Sequence, residues 1–287
     1  MNPAIRLRRL TEGDLPFADA LRAQAGWNQT LGDWNRFLRM NPDGCFLAEW
    51  DGRSAGTATT TVHDGGVAWV GMVLVDVEHR KRGIGRALLE RCLEHLRGCG
   101  VRCIKLDATP LGKPVYEALG FRMEWTLTRW ECASAPRLDL EAAAGARGWL
   151  IGDAQGTREL DGAAFGVSRE RLLSELAGQT LAALVVPSGP GRIRGYGMSR
   201  SGSRAVYLGP IAADSPDVGA GLIDALIARC AQAAIYWDIP DANAVANVRA
   251  ERHGFRRQRT LTRMYWGENA ALGNPSMQYA LAGPEVG

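Results

Sequence analysis

Residues 73–88, Val-Leu-Val-Asp-Val-Glu-His-Arg-Lys-Arg-Gly-Ile-Gly-Arg-Ala-Leu, constrain this chain more than any others. They read as the end of a buried strand, a basic glycine-rich turn and the start of a helix. Gly83 and Gly85 let successive backbone N–H groups converge on one point, and the helix that follows directs the positive end of its dipole there. Arg80, Lys81, Arg82 and Arg86 add positive charge, so the turn suits a phosphate or pyrophosphate. A Gly-x-Gly turn alone also serves as a plain strand-to-helix connector, and the reading therefore rests on what accompanies it.

A second block follows about thirty residues on. Residues 101–108 form an apolar strand, Asp107-Ala108-Thr109-Pro110 breaks it, and Pro114-Val115-Tyr116-Glu117-Ala118-Leu119-Gly120-Phe121 is a short helix closed by glycine. Arg80, Gly83 and Gly85, followed after a helix and a strand by Tyr116-Glu117 and Gly120-Phe121, resemble the GNAT superfamily of acetyl-CoA-dependent acyltransferases. Its pattern is Arg or Gln, two residues, Gly, any residue, Gly or Ala, and later a Tyr-Glu-x-x-Gly-Phe helix. The order and spacing of the two blocks are far more specific than either block alone. The resemblance covers residues 4–131.

The 287 residues exceed the usual size of one domain, and an apolar content of 46% supplies a large core. Positive and negative charges nearly cancel at +3, which gives no basis for a nucleic-acid partner. Six cysteines at 45, 92, 99, 103, 132 and 230 form neither a CxxC pair nor a Cys/His cluster, so no metal is expected and reduced thiols fit a cytoplasmic protein. No signal peptide is evident and no apolar run approaches the ~20 residues that span a bilayer, so no membrane partner is expected.

Along the chain, residues 4–10 alternate as an opening strand. Residues 14–25 and 31–40 follow with helical periodicity, joined by Gly26-Trp27-Asn28-Gln29-Thr30. Residues 45–50 and 54–63 pair as a hairpin across Asp51-Gly52, and 67–77, apolar on both faces, is a central strand. A helix over 84–96 and a closing strand over 123–130 complete the half. The fold class is α/β (α+β): two tandem GNAT-like domains, each a mixed central sheet flanked by helices, over residues 1–132 and 137–287.

The second domain repeats the first in outline after a polar connector at 133–136. Gly120-Phe121 recurs as Gly254-Phe255, and Thr126-Leu127-Thr128-Arg129 as Thr260-Leu261-Thr262-Arg263, both 134 positions on. Asp107 is echoed by Asp238, and Gly83 and Gly85 by Gly219 and Gly221 at a slightly different offset, so a tandem duplication is the simplest account. On this alignment Pro216, Asp217 and Val218 replace Arg80, Lys81 and Arg82, and Ala250 replaces Tyr116. The second copy thereby loses positive charge, an amide donor and the phenol, and reads as a degenerate domain, structural or substrate-shaping. Residues 278–285 look like an ordered final strand.

The resemblance implies a site. The backbone and side chains of Arg80, Lys81, Arg82, Gly83, Ile84, Gly85 and Arg86 would hold the pyrophosphate of the cosubstrate acetyl-CoA. Val73, Leu74 and Val75 would pair with the pantetheine arm and lend an N–H to the thioester carbonyl. Tyr116 matches the phenol that meets the departing thiolate. The implied reaction is direct transfer of the acetyl group to a primary amine, with a small molecule as acceptor; the alternative is an acyl-CoA binding or sensing module without catalysis. An acceptor site would lie at the helix junction, with Trp27, Asn28 and Asp33 as candidate substrate contacts. For the base that must take a proton from the amine, Asp76, Glu49, His63 and His79 are candidates, and none stands out.

Overall fold

The computed structural model describes residues 4–138, 145–269 and 271–287. Its first ten elements are β1 (Ile5–Arg9), α1 (Leu15–Gln24), α2 (Leu31–Met40), β2 (Cys45–Trp50), β3 (Arg53–Val62), β4 (Val67–Val75), α3 (Ile84–Gly98), β5 (Cys103–Ala108), α4 (Lys113–Ala118) and β6 (Arg122–Cys132). The next ten repeat that order: β7 (Arg147–Gly148), α5 (Ala154–Phe165), α6 (Glu170–Ala177), β8 (Thr180–Gly189), β9 (Arg192–Arg200), β10 (Val206–Ala213), α7 (Pro216–Arg229), β11 (Ile235–Pro240), α8 (Ala244–Arg252) and β12 (Arg256–Gly267). A short strand, β13 (Gln278–Ala280), has no counterpart in the first half. The mixed sheet with helices on its faces is the expected class.

Local chemistry explains the elements that frame the site. Thr30 and Asp33 form a reciprocal capping box that starts α2, and Asp51 and Gly52, both at positive φ, turn β2 into β3. Helix α3 buries Ile84, Leu88, Cys92 and Leu96 on one stripe, against Ala68 and Val70 of β4 and Ile104 and Leu106 of β5. A second core packs α7 against β10 and β11 through Leu222, Ile223 and Leu226.

The halves are not separate sheets. Strands run in the order β1-β2-β3-β4-β5-β12-β6-β11-β10-β9-β8-β7, a single sheet in which β12 of the second half lies beside β5 and β6 of the first half lies beside β11. The segment expected to close the first half at 123–130 therefore sits between two strands of the second. The two Thr-Leu-Thr-Arg repeats face each other at the crossing, where Leu261 pairs with Leu127, Thr260 with Thr128 and Thr262 with Thr126.

Two buried ion pairs fix this exchange. Arg263 of β12 donates to both oxygens of Asp107 on β5, at 2.9 Å each. Arg129 of β6 does the same to Asp238 on β11, at 2.8 and 2.5 Å. Each half thus supplies an arginine to the aspartate of the other. A third echo is internal to each half: Arg8 forks onto Asp14 and Arg147 onto Asp153.

Candidate active site

The central cleft follows from how β4 is shared. It pairs in parallel with β5 only over Val67, Ala68 and Trp69, opposite Cys103, Ile104 and Lys105. Beyond that point β4 stays with β3 as far as Val75 opposite Gly56, while β5 stays with β12 as far as Ala108 opposite Thr262. The two strands diverge, and a bulge in the β3 register with Met72 at φ +48° turns the backbone where they part. Val73, Leu74 and Val75 thus lie on the edge of a V-shaped opening.

The basic turn closes the wide end of that opening. Asp76 accepts from the Glu78 N–H and tightens the turn; Lys81 at φ +62° and Gly83 at φ +86° then curl the backbone into α3. A Cβ at Gly83 would meet nothing within 4 Å, so the glycine is required by its left-handed conformation and not by crowding. The turn leads directly into the 15-residue helix α3, which has no side-chain N-cap and whose first N–H groups have no partner within the helix. Arg80 donates to the Val75 carbonyl at 3.2 Å, Arg82 lies over the Trp50 ring and Arg86 pairs with Glu90. Arg80, Lys81, Arg82, Gly83 and Arg86 are exposed, and Ile84 is buried as the helix anchor.

Tyr116 on α4 packs with the core that contains Val73 and Val75 and meets Phe121 edge-on at 6.0 Å. Burial pushes its phenol up to about 12, so the hydroxyl is protonated near neutral pH. Its hydroxyl makes no hydrogen bond among the described residues and is free to donate elsewhere.

The three residues expected at the acceptor end lie at the junction of the halves, with different roles. Asn28 is 4% exposed; its amide donates to the Ala205 carbonyl at 3.0 Å and accepts from the Arg204 and Ala205 N–H groups. Asp33 caps α2 and pairs with buried Arg36 at 2.6 Å. Trp27 is partly exposed, and its carbonyl accepts from Arg22 and Ser203. Asn28 and Asp33, with Gln29, Arg129, Arg200, Tyr207 and Glu285, line a small polar cavity of about 10 Å³ between the halves. Residues of the second half in this wall, and Glu285 above all, carry no motif and were invisible in the sequence.

The candidate bases are all engaged. Glu49 accepts from Arg8 at 2.7 Å, and Asp76 is held by Glu78 N–H, Gln24 and His79. His63 is buried behind β4, bonded through Nε2 to the Val286 carbonyl at 3.3 Å and edge-on to Phe165. Desolvation, and then the charge of Arg169, lower its pKa to about 4. Its neutral form stabilises the fold fully above the unfolded pKa of about 6.5, and that contribution is lost as pH falls through 4. Urea unfolding at pH 7.5, 6 and 5 is expected to show wild type losing stability relative to His63→Gln, by up to about 1.4 kcal/mol per pH unit. Raised carboxylates such as Asp107 and Glu285 act in the opposite sense in both proteins and cancel in the difference.

The second half lacks the turn altogether. Eight residues, 76–83, separate β4 from α3, whereas only Asp214 and Ser215 separate β10 from α7. The expected echo of Gly83 and Gly85 at Gly219 and Gly221 is therefore corrected: both are inside α7, whose first turn carries Pro216 and Asp217. Ala250 on α8 is fully buried and supplies no polar group.

Residues 9–121 match the model of the acetyltransferase (GNAT) family and residues 157–280 that of a second acetyltransferase (GNAT) domain. The chain belongs to the GNAT superfamily. It is a tandem GNAT acyltransferase, with one family match in each half. It is 28% identical over 218 residues, 76% of each chain, to the uncharacterized N-acetyltransferase YitH of Bacillus subtilis. It is 38% identical over 119 residues to the mycothiol acetyltransferase of Thermobispora bispora, a match covering 37% of this chain and 38% of that one. In fold it resembles a protein of Pyrococcus horikoshii assigned as an acetyltransferase (TM-score 0.84, 22% identity, 100% and 97% of the chains covered). It also resembles a tandem GNAT protein of the clavulanic acid biosynthesis pathway (TM-score 0.63, 15% identity, 92% and 98% covered). No described helix is long and apolar enough to cross a membrane, and no described cluster of side chains has the makings of a metal site.

Proposed function

We propose that this GNAT protein carries the acetyl group of acetyl-CoA directly to a primary amine of a small molecule, that residues 1–132 hold the cosubstrate, and that residues 137–287 are a structural and substrate-shaping half. The observation that carries the reading is the coincidence, in the first half only, of diverging strands with a left-handed basic turn at a helix N-terminus. A mycothiol acetyltransferase among the relatives supports a small-molecule acceptor.

In this reading the N–H groups of residues 80–86 and the charges of Arg80, Lys81, Arg82 and Arg86 neutralise the pyrophosphate. Backbone groups of Val73, Leu74 and Val75 on the side away from β3, open where β4 and β5 part, hold the arm and donate to the thioester carbonyl as the amine attacks. A preorganised donor of this kind is worth about 3–4 kcal/mol in the transition state. Tyr116 donates to the sulfur as the C–S bond breaks. The acceptor approaches from the junction of the halves, past Trp27, with Asn28 and Asp33 holding that wall in shape.

Calorimetric titration with acetyl-CoA tests the assignment. Wild type is expected to bind one equivalent. The Arg80→Ala, Gly83→Asp double variant is expected to bind at least about 100-fold more weakly, because a side chain at φ +86° costs about 1–2 kcal/mol and its carboxylate adds repulsion where the phosphates sit. A one-site wild type then justifies a screen of primary-amine acceptors by thiol release. Unchanged binding in the double variant would remove the turn from the site.

A further inference from the structure

The second half has a cleft of the same construction, and the chain itself fills it. Strand β10 pairs with β11 over three residues, Val206, Tyr207 and Leu208, as β4 does with β5, and then leaves it. Into the gap comes β13: Ile211 pairs with Ala280 and Ala212 with Gln278 on one side. On the other side the Leu281 N–H donates to the Asp238 carbonyl at 3.0 Å and the Trp237 indole to the Tyr279 carbonyl at 2.9 Å. The bridging backbone lies where, in the first half, the cosubstrate arm is assigned.

Side chains seat the strand as firmly. Asn243 donates to the Ser276 and Gln278 carbonyls, and Gln278 to the Ala164 carbonyl at 2.8 Å. The Tyr279 ring lies on the first turns of α7 at Gly219, where a Cβ would come within 2.2 Å of a ring carbon. Tyr279 is 2% exposed, and burial, then the charges of Asp214 and Asp217, raise the pKa of its phenol. The helix end that would face a pyrophosphate is covered by an aromatic ring and an acidic turn.

The same segment then crosses to the first half. The Trp69 indole donates to the Pro284 carbonyl at 2.9 Å, and Glu285 backbone lies against Gly71 so closely that a Cβ there would come within 2.4 Å of its carbonyl oxygen. Ala282 and Val286 join Met72 and Leu74 in one core, and the Glu285 carboxylate accepts from Gln29 at 2.8 Å and from Arg200 at 3.2 Å.

We propose that the second cleft has been converted from a cosubstrate site into a groove for residues 278–280, and that its purpose is to anchor residues 281–287 as the rear wall of the first cleft at Trp69, Gly71 and Met72. This rests on the assignment of the first cleft to acetyl-CoA. The strand is a fixed part of the fold and not a lid that yields to ligand.

Hydrogen exchange of the full-length protein tests it, with Gly219→Ala as the lever. Alanine suits a helix better than glycine, so α7 is not harmed, while the added methyl displaces Tyr279. Exchange across residues 278–287 is expected to rise about tenfold or more in Gly219→Ala, with 278–280 and 281–287 loosening together. The Gly219→Ala, Tyr279→Leu variant, which makes room for the methyl, is expected to regain protection. Acetyl-CoA affinity is expected to fall with the protection of 281–287 and to return in the double variant, since that segment backs the first cleft at Trp69 and Gly71. In wild type, saturating acetyl-CoA is expected to leave exchange at 278–280 unchanged. Deprotection there with uptake of a second equivalent would overturn the proposal, as would unaltered exchange in Gly219→Ala or loosening confined to 278–280. A wild type that binds no acetyl-CoA would refute the first-cleft assignment, while the exchange response of Gly219→Ala would still decide the fate of the strand.

Discussion

Replacing Arg129 by alanine is expected to cost about 3–5 kcal/mol of folding stability. The arginine and its partner Asp238 are 2% and 0% exposed, and its guanidinium also lies near the rings of Tyr207 and Tyr236. Alanine would leave a carboxylate buried between β11 and β6 with the Tyr207 hydroxyl as its remaining side-chain hydrogen-bond donor among the described residues and the charge of Arg259 nearby. Asp238 is held below the usual carboxylate range by Arg129 against the desolvation of its site, and without the arginine it must take up a proton or admit water. Urea unfolding near neutral pH measures the loss. The Arg129→Met, Asp238→Leu, Tyr207→Phe triple variant, which removes the charges and the orphaned hydroxyl together, is expected to recover most of it. Failure to recover would mean that the pair does more than satisfy itself, for example by fixing the register of the exchange.

That experiment bears on what the halves are. The pseudo-equivalent Arg263–Asp107 pair lies beside the first cleft, so residues 1–132 on their own would lose β12 and leave Asp107 buried without its arginine. The duplication was legible in the sequence because both copies keep Thr-Leu-Thr-Arg and an aspartate. What was not legible is that each arginine serves the other copy's aspartate, because a repeat has the same sequence whether its last strand closes its own sheet or its neighbour's. The basic turn and Tyr116 were legible because their chemistry is local: positive φ needs glycine, and the motif fixes the spacing. Gly219 and Gly221 misled for the complementary reason. A glycine pair reads alike in a turn and in a helix, and only the shortened link of Asp214 and Ser215 distinguishes them. Asn28 and Asp33 lie at the expected helix junction, but Asn28 bonds to Arg204 and Ala205 of the other half while Asp33 is held by Thr30 and Arg36 of its own. Residues 278–285 read as a final strand, and the strand proper is only Gln278–Ala280; the part played by Glu285 was not legible, since it comes from where β13 delivers it.

For Tyr116→Phe, turnover is expected to fall about 10- to 100-fold with acetyl-CoA affinity unchanged. The phenol is packed in the first core and stays so as phenylalanine, so the substitution removes a hydroxyl and little else. That hydroxyl has no hydrogen-bond partner among the described residues, and its pKa, raised to about 12, puts it well above a free thiol near ~8.5. Complete proton transfer from phenol to thiolate is therefore uphill. What Tyr116 offers is a hydrogen bond that strengthens as negative charge collects on sulfur, and a bond to a charged group is worth about 1.5–3 kcal/mol. Converted at 1.36 kcal/mol per decade, that is about 1.1–2.2 decades, the order of the stated loss. Because the bond forms with the developing charge and not with the neutral thioester, the loss belongs in kcat and leaves ground-state binding alone. Steady-state assays of thiol release with an accepted amine, beside calorimetry with acetyl-CoA, separate the two. Equal turnover by Tyr116→Phe and wild type would take Tyr116 out of the chemistry, and a parallel loss of affinity would make it a packing residue of the cleft.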